Sequence, residues 1–405
     1  MNKIYPCVIG LGYVGLPLFL KLSKKFKSIG FDKNNFRIKS LIKGVDYNNE
    51  FNKKSINFKK KSKVTSNSKL LNKCNFFIIA VPTPVNKKLQ PDLSLLKNEI
   101  NLVGSKIKKN DIIFLESTIY PSVTEKICIP ILEKKSGLKN DKDFFVGYSS
   151  ERINPGDKIH SLDNIPKVVA FSSNQNEAVK KVKTIYKFIS KKIIYSKYIK
   201  EAETSKVIEN IQRDLNIALM NEIFIICEKL NINFKEVVRM ASSKWNFHNY
   251  SPGLVGGHCL PVDPYYFSYI ANKKKYKANV ILAGRKINNY METYIIKKII
   301  KLTKINSKNI KILLFGATYK PNVADIRNSI PLSIFKFLKK KYSKKVFCMD
   351  SCMDKKIAKK HGIIIKNNNI KYDYFIPLVK HDNYKLIYNE IIKKNKKAKL
   401  INLLT

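Results

Sequence analysis

Residues 7–18 read CVIGLGYVGLPL, an apolar run that ends in Gly10-x-Gly12-x-x-Gly15 and passes into an amphipathic stretch. Few chains can do more than one thing with such a segment. The apolar run predicts a buried strand, the glycines a tight turn, and the residues after them a helix packed back on the strand. Gly10 permits the turn, Gly12 lets a ligand's pyrophosphate approach the backbone, and Gly15 lets helix and strand pack closely, with the helix N-terminus facing the phosphates. A lone match to this pattern says little. Here a second apolar run, SIGFD, ends at Asp32, about 20 residues further on, where a dinucleotide site needs an acid for its ribose. A carboxylate there repels a 2′-phosphate, so the expected cofactor is NAD and not NADP; Lys33 is the rival contact, since it could pair with a phosphate instead.

The rest of the chain falls into three blocks. Residues 1–195 alternate apolar runs with amphipathic stretches. Strands are expected at Ile4–Ile9, Ser28–Phe31, Asn75–Val81, Asp111–Glu116, Phe144–Tyr148 and Val168–Phe171, with helices such as Leu93–Ile107 and Asn174–Phe188 between them. Residues 196–295 lack strand signals and open with some thirty residues of helical periodicity, KEAETSKVIENIQRDLNIALMNEIFIICEKLNI, without glycine or proline. Residues 296–405 return to alternation: KILLFGATY, KVFCMD, YDYFIPL and AKLINLL read as strands, Ser329–Lys341 and Tyr384–Lys394 as helices. The expected fold class is α/β, two Rossmann-like doubly wound parallel-sheet domains joined by a long central helix. A helix as long as the one in the middle block bridges domains or builds a dimer interface.

Charge invites another reading. The net charge is +48, but only six of the 78 basic residues are arginine, and the lysines are spread through every segment. A nucleic-acid groove concentrates arginine and aromatics in one region; a solvated lysine surface explains this pattern better, so no nucleic-acid partner is expected. The potential would still favour small polyanions such as nucleotides. Arginine's rarity draws attention to Arg152 and Arg327. The seven cysteines include no C-x-x-C pair, which speaks for a reducing compartment. Cys348 and Cys352 have no histidine near them in sequence and are read as space-filling, so no metal is expected. The amino terminus has a lysine and an apolar run, but three glycines interrupt it and no small-residue cleavage site follows. No uninterrupted apolar stretch is long enough to span a bilayer. A cytoplasmic protein without membrane contact is expected.

One cysteine stands apart. In PGLVGGHCLPVDPYY, Cys259 follows Gly256-Gly257 and His258 and precedes Pro261 and Asp263. The paired glycines would let a ligand or backbone come close. A helix starting here would accept Pro261 in its first turn and aim its positive end at the thiol; His258 is read as structural more than catalytic. A thiol together with NAD points to a definite chemistry. A dehydrogenase that stops at a carbonyl needs no cysteine, whereas one that carries an aldehyde on to an acid can pass through a thiohemiacetal and a thioester. Hydrolysis of that thioester needs a base and an oxyanion partner. Lys206 and Asn210, spaced i,i+4, share one face of the long helix, which by spacing alone reads equally as an ordinary polar face.

Taken in order, GLGYVGLP, AVPTPV with PDLS, ESTIYPSVTE, SSERINPGDK, EAETSKVIENIQRDLNIALMNE, PGLVGGHCLPVDPYY and GATYKPNVADIRNS span almost the whole chain. Together they resemble the UDP-glucose/GDP-mannose dehydrogenase family, and within it the bacterial UDP-N-acetylhexosamine 6-dehydrogenases of capsule and O-antigen pathways. The resemblance implies two NAD-dependent oxidations that turn a sugar C6 alcohol into a carboxylate. It implies that Cys259 is the nucleophile, that Lys206 steadies the oxyanion with Asn210 beside it, and that Asp263 orders a water or polarises the site. It assigns Thr118 to the reacting water and Glu151 to the base. NAD would be held by Gly10, Gly12, Gly15, Asp32, Thr83 and Thr118. The UDP-sugar would be held by Arg152, Lys206, Asn210, the Gly253, Gly256 and Gly257 segment, and Lys320 and Arg327.

Four positions depart from the family's pattern. Ser150 stands where proline is usual, Ser122 where glycine is usual, and Asn402 where aspartate is usual. Pro155 replaces the second acid of the glucose branch, which favours an acetamido sugar. A homodimer is expected through the Ile211, Leu215, Ala218, Leu219 and Ile226 side of the long helix.

Overall fold

The structure, a computed structural model, describes residues 3–404 apart from 49, 59, 60, 154–156, 158, 160, 161, 308, 366–369, 395 and 397. Pro155 therefore lies outside the described residues. The chain forms two compact units, Met1–Glu209 with Tyr265–Tyr276, and Asn210–Pro264 with Lys277–Thr405.

The first unit is built as β1 (Pro6–Ile9), α1 (Gly15–Ser23), β2 (Ile29–Phe31), α2 (Asn35–Ile42), β3 (Lys63–Thr65), β4 (Phe76–Ile79), α3 (Ser94–Gly104) and β5 (Ile112–Leu115), then α4 (Ile129–Ser136), β6 (Phe145–Ser149), β7 (Lys167–Phe171), α5 (Asn176–Ile189) and β8 (Ile193–Ser196). Its eight strands lie in the order β3-β2-β1-β4-β5-β6-β7-β8. The central strands PCVI, FFII and IIFL are buried along their whole length, as strands covered by helices on both faces must be. Helix α5 shows the matching half of the rule: Ala178, Val182, Ile185, Tyr186 and Ile189 form its buried stripe. Neighbouring strands pair in parallel, with one exception. β7 runs antiparallel to β6 through Gly147–Phe171, Tyr148–Ala170 and Ser149–Val169, so the sheet is not parallel throughout as expected. The turn that reverses the chain lies between two apolar runs that look alike, and alternation alone cannot report direction. The edge strands β3 and β8 escape the sequence reading because KVT and IIYS are short and half-exposed.

The second unit contains α7 (Phe234–Ala241), α9 (Asn279–Thr303), β9 (Ile312–Phe315), α10 (Ile330–Tyr342), β10 (Val346–Met349), α11 (Lys355–Lys360), β11 (Tyr374–Pro377), α12 (Tyr384–Lys394) and β12 (Lys399–Leu400), while α6 (Ile199–Lys229) and α8 (Asp263–Lys273) contribute to both units. Its sheet, in the order β10-β9-β11-β12, is parallel throughout. Within this unit α6 and α9 are joined by a buried polar ladder. Arg285 donates to Asp214 (2.6 Å), Asn288 donates to the same carboxylate (2.8 Å), and Asn221 donates to Asn288 (2.9 Å). Two of the apolar positions expected on the dimer face, Ile211 and Ala218, are buried in the chain's own core; Leu219, Ile226 and Leu230 remain exposed. The helical period places Ile211 and Ala218 a quarter-turn from that exposed line.

Ser122, where glycine is usual, has φ +73°. Its N–H donates to the Glu203 carboxylate, whose other oxygen takes the Thr124 N–H at 2.9 Å. Glu203 thus pins the backbone in a left-handed conformation that costs a side-chain-bearing residue about 1 kcal/mol. Ser122→Gly should relieve part of this and raise the unfolding midpoint of the chain by about 1–3 °C; a lower midpoint in calorimetry would show that the serine is not strained.

Candidate active site

The glycine turn follows β1 at the point where the strand order reverses, between β1 and β4, the crevice in which open α/β sheets bind ligands. Gly10 has φ +87°, and a Cβ there would lie 2.8 Å from the Ala80 carbonyl oxygen. A Cβ on Gly15 would fall 1.7 Å from the Gly10 carbonyl oxygen, whereas one on Gly12 would meet nothing within 4 Å. So two of the glycines answer to the chain's own packing, and the middle one borders open space at the N-terminus of α1. Asp32 accepts from Leu11 N at 2.9 Å through one oxygen and from Asn34 N at 2.9 Å through the other. A carboxylate has about four acceptor sites, which leaves lone pairs for ribose hydroxyls. Lys33 is paired with Glu99 at 2.7 Å and so is already engaged within the protein. Past β4 and β5, Thr83 donates its hydroxyl to the Thr118 carbonyl (2.5 Å), which joins the two threonines. These residues fit NAD: open backbone for phosphates and an acid for a ribose.

Glu151 is 7 % exposed. Its Oε1 accepts from the N–H groups of Arg152 (2.7 Å) and Ile153 (2.8 Å), and its Oε2 from Lys167 (2.9 Å). Lys167 also holds Glu116 at 2.7 Å, and Tyr186 donates to Glu116 at 3.0 Å. One cation thus serves two buried acids. Burial raises Glu116 to about 7, against the pull of Lys167 and with added repulsion from Glu151. Burial works against the Lys167 ammonium, yet its two carboxylates hold it above its ordinary value. Ser150 is buried, and its hydroxyl has no hydrogen-bond partner among the described residues. The Arg152 guanidinium is tied to Glu209 and to the Pro166 carbonyl (3.0 Å). Lys206, half-buried on α6, lies one turn before Asn210.

The thiol segment belongs to the second unit. Cys259 is half-buried, and its carbonyl accepts from Val262 N and Asp263 N, each at 2.9 Å. Helix α8 opens at Asp263, so Pro261 sits in the turn ahead of the helix and not in its first turn as expected. Asp263 is buried and accepts from Asn210 Nδ2 at 2.5 Å. The structure therefore brings Asn210 and Asp263 together as a pair. The glycines before the thiol answer to the chain's own packing. A Cβ on Gly256 would lie 2.7 Å from the Asn328 carbonyl oxygen, and one on Gly257, with φ +89°, 2.7 Å from the Tyr319 ring. Asn328 Nδ2 donates to the Gly257 carbonyl at 3.0 Å. Gly253 is held differently, by reciprocal hydrogen bonds with Asn221 (2.8 and 3.0 Å).

A cavity of about 390 Å³ opens at the carboxyl ends of the second sheet's strands, lined by Gly253, Leu254, Tyr319, Lys320, Lys380 and Asn402 among others. Lys320 lines it directly. Arg327 is instead clamped by Asp325, with guanidinium contacts of 2.6–3.1 Å, and reaches His258 at 3.4 Å.

Sequence reasoning missed Lys167, Glu116 and His381. The first could have been noticed as a charged residue opening an otherwise apolar strand, KVVAF. The third corrects the reading of Cys352 as lacking a histidine: the fold delivers His381 to within 3.4 Å of its sulfur.

Lys167→Met tests the acid cluster. Without the cation, burial would leave Glu116 still more reluctant to ionise. Its folded-state value, already raised to about 7, would rise further above the unfolded one, so stability would be lost as pH rises through it. The variant should be about 3 kcal/mol less stable than the parent at pH 8, with the deficit shrinking toward pH 5. Equal stability at pH 8 in denaturant titrations would show that the carboxylates do not depend on the lysine.

With this geometry in hand, comparison with known proteins is direct. Residues 4–190 match the NAD binding domain of the UDP-glucose/GDP-mannose dehydrogenase family, residues 200–290 its central domain, and residues 313–402 its UDP binding domain. The UDP-N-acetyl-D-glucosamine 6-dehydrogenase of Salmonella typhi is 42% identical over 402 residues, which cover 97% of this chain and 93% of the relative. Protein CapL of Staphylococcus aureus is 44% identical over 384 residues, covering 93% and 90%. The solved UDP-D-ManNAc dehydrogenase of Pyrococcus horikoshii superposes with a TM-score of 0.84 at 27% identity, covering 98% of this chain and 95% of that one. The chain belongs to the UDP-glucose/GDP-mannose dehydrogenase family and is an NAD-dependent oxidoreductase of UDP-sugars.

Proposed function

We propose that this enzyme oxidises the C6 alcohol of a UDP-N-acetylhexosamine, UDP-N-acetylglucosamine in first place, to the uronic acid in two successive steps. The observation that carries the reading is whole-length similarity to a UDP-N-acetyl-D-glucosamine 6-dehydrogenase in a chain that keeps Cys259 in its glycine-framed turn. UDP-N-acetylmannosamine is the second reading, favoured by the likeness to the Pyrococcus horikoshii structure. The carboxylated product would serve as donor for acidic units of a surface polysaccharide, made in the cytoplasm.

In overall balance, one alcohol, two NAD and one water give one carboxylate, two NADH and three protons. The Gly10–Gly15 turn, Asp32 and the Thr83–Thr118 pair would hold NAD, which would supply the hydride acceptor for each oxidation. In the first, Lys206 steadies the alkoxide that forms as the proton of the C6 hydroxyl leaves to solvent, and hydride departs from C6 to give the aldehyde. Cys259 then adds to the aldehyde: a C–S bond forms and the carbonyl oxygen becomes the hydroxyl of a thiohemiacetal. Loss of hydride leaves a thioester. Glu151 takes a proton from water, with Thr118 on that water, the C–S bond breaks, and the thiol is regenerated. Asp263, fixed by Asn210, acts on the polarity around the thiol turn. Lys320 offers a cation to the diphosphate, with the cavity at the strand ends as the nucleotide's site.

The purified enzyme, offered a panel of UDP-sugars with NAD, should release two NADH per acid from UDP-N-acetylglucosamine, with little free aldehyde. A ratio near one, with aldehyde trapped by hydroxylamine, would sink the thioester route. Cys259→Ser should lose at least about a thousandfold in turnover while still binding UDP-sugar and NAD. Glu151→Gln should accumulate a covalent sugar-nucleotide adduct, visible in intact-protein mass spectrometry and missing from Cys259→Ser. Parental turnover in Cys259→Ser would make the thiol structural.

The exposed Leu219, Ile226 and Leu230 on α6 are assigned to pairing with a second copy of the chain. A monomer in light scattering at micromolar concentration would overturn that assignment.

A further inference from the structure

The second unit holds another cysteine in a chemically loaded setting. Cys352 lies just past β10, half-buried, with its Sγ 3.4 Å from His381 Nδ1. The opposite ring nitrogen, Nε2, lies 3.2 Å from Asp350 Oδ2. Both His381 and Asp350 are buried. Thiol, imidazole and carboxylate therefore stand in line, with the ring between sulfur and acid. That order is the arrangement in which an acid orients a histidine and the histidine takes a proton from a nucleophile.

A metal site is the competing use of the same three residues, since their ligand atoms lie within 4.8 Å of one another. The hydrogen bonding argues against it. Asp350 Oδ2 already accepts from Ala317 N (2.6 Å) and Thr318 N (3.0 Å), and Oδ1 accepts from Cys352 N (2.8 Å). With His381 facing it as well, Oδ2, the oxygen nearest the ring, meets three donors and has no lone pair left for an ion. The thiol and the carboxylate also address opposite nitrogens of the ring, which diverge, so no single ion could take all three through one ring atom.

The tautomer is set by neighbours. The Asn322 backbone N–H donates to His381 Nδ1 at 3.0 Å, so the neutral ring carries its proton on Nε2, toward Asp350, and its one Nδ1 lone pair is shared between that N–H and the Cys352 thiol. Phe315 packs edge-on against the ring, with centroids 5.7 Å apart, and limits its rotation. Burial opposes an imidazolium here, but the hydrogen bonds and charges of Asp350 and Cys352 outweigh it and lift His381 to about 9. A proton that leaves the sulfur takes Nδ1 in place of the Asn322 hydrogen bond, and the imidazolium so formed is held by Asp350 and the thiolate.

We propose that Cys352 is a second reactive thiol of this protein, a modification site at which His381 removes the thiol proton, Asp350 holds the ring, and the sulfur attacks a hydroperoxide. In that step an S–O bond forms as the O–O bond breaks. Sulfur is oxidised by two electrons to a sulfenic acid, the peroxide is reduced, and the departing oxyanion, hydroxide in the case of hydrogen peroxide, leaves as water or alcohol with the proton that His381 took. The site is independent of the Cys259 chemistry. It borders the cavity through the chain, since Lys380 precedes His381 and Pro321 precedes Asn322, and both line that space.

The test compares the native chain with itself. At pH 6 an ordinary thiol is almost wholly protonated, so native Cys352 should be alkylated by iodoacetamide about tenfold faster than the same cysteine in the urea-unfolded chain, followed by peptide mass spectrometry. His381→Gln should abolish that excess, and Cys352→Ser should remove the peptide that dimedone labels after hydrogen peroxide treatment, with NADH formation still measurable. A native rate at or below the unfolded rate would overturn the proposal, and that comparison needs no variant to fold. Peroxide labelling confined to Cys259 would overturn it too.

Discussion

In both sheets a turn is clamped between a backbone carbonyl and a carboxylate, and the rest of each unit depends on it. Gly10 and Gly316, with φ of +87° and +88°, end the first strand of their sheets. Their N–H groups reach across to the second strand, to the Phe31 and Met349 carbonyls, at 2.8 Å each. The aspartate that ends the second strand then takes the next amide: Asp32 from Leu11 (2.9 Å), Asp350 from Ala317 (2.6 Å). A side chain at either glycine would strike the end of the neighbouring crossover strand, at Ala80 in one sheet and at Val379 in the other. The switch point of each sheet is therefore closed on the protein side.

The two clamps have diverged in use. Asp32 is partly exposed and keeps acceptor capacity for a ribose. Asp350 is fully buried, and its remaining capacity is taken by His381. The second turn also continues differently. Where the first has Gly12 beside open space, the second runs Ala317-Thr318-Tyr319 and places the Tyr319 ring against Gly257. A dinucleotide needs the open middle position. The second unit has given that space to the packing of the thiol loop, and its cavity lies beside the turn and not over it.

What was legible in the sequence follows the same division. The first clamp could be read because both of its partners are in a pattern: glycines at fixed spacing and an acid at the end of the next apolar run. The second could not, since Gly316 is a single glycine and Asp350 looks like any strand-ending acid. The buried central strands announce themselves as runs such as FFII and IIFL. The edge strands do not, because a three-residue KVT half in water has no apolar signal to give. The reversal of β7 depends on a long connection that carries no hydrophobic period. Gly256 and Gly257 were legible as close-approach positions, but only the fold shows that what approaches is Tyr319 and Asn328. His381 and Cys352 are 29 residues apart, and nothing local ties them.

Lys167 shows where such blindness matters most. A buried ion pair is a poor investment for stability, since desolvating the charges offsets most of their attraction. Only replacing all three charged groups together by apolar ones would be near neutral; an apolar residue at 167 alone would leave Glu116 and Glu151 buried without their cation. What accounts for the lysine is what it holds. Glu151 sits where the strand has ended and the chain turns away, with the Arg152 and Ile153 amides on one oxygen and Lys167 on the other. Those three donors fix the plane of the carboxylate and leave it little freedom to rotate. Lys167 is shared with Glu116 at 2.7 Å, so one cation orients both carboxylates. Under the role proposed for Glu151 as base, that fixed plane would set the angle at which it meets water.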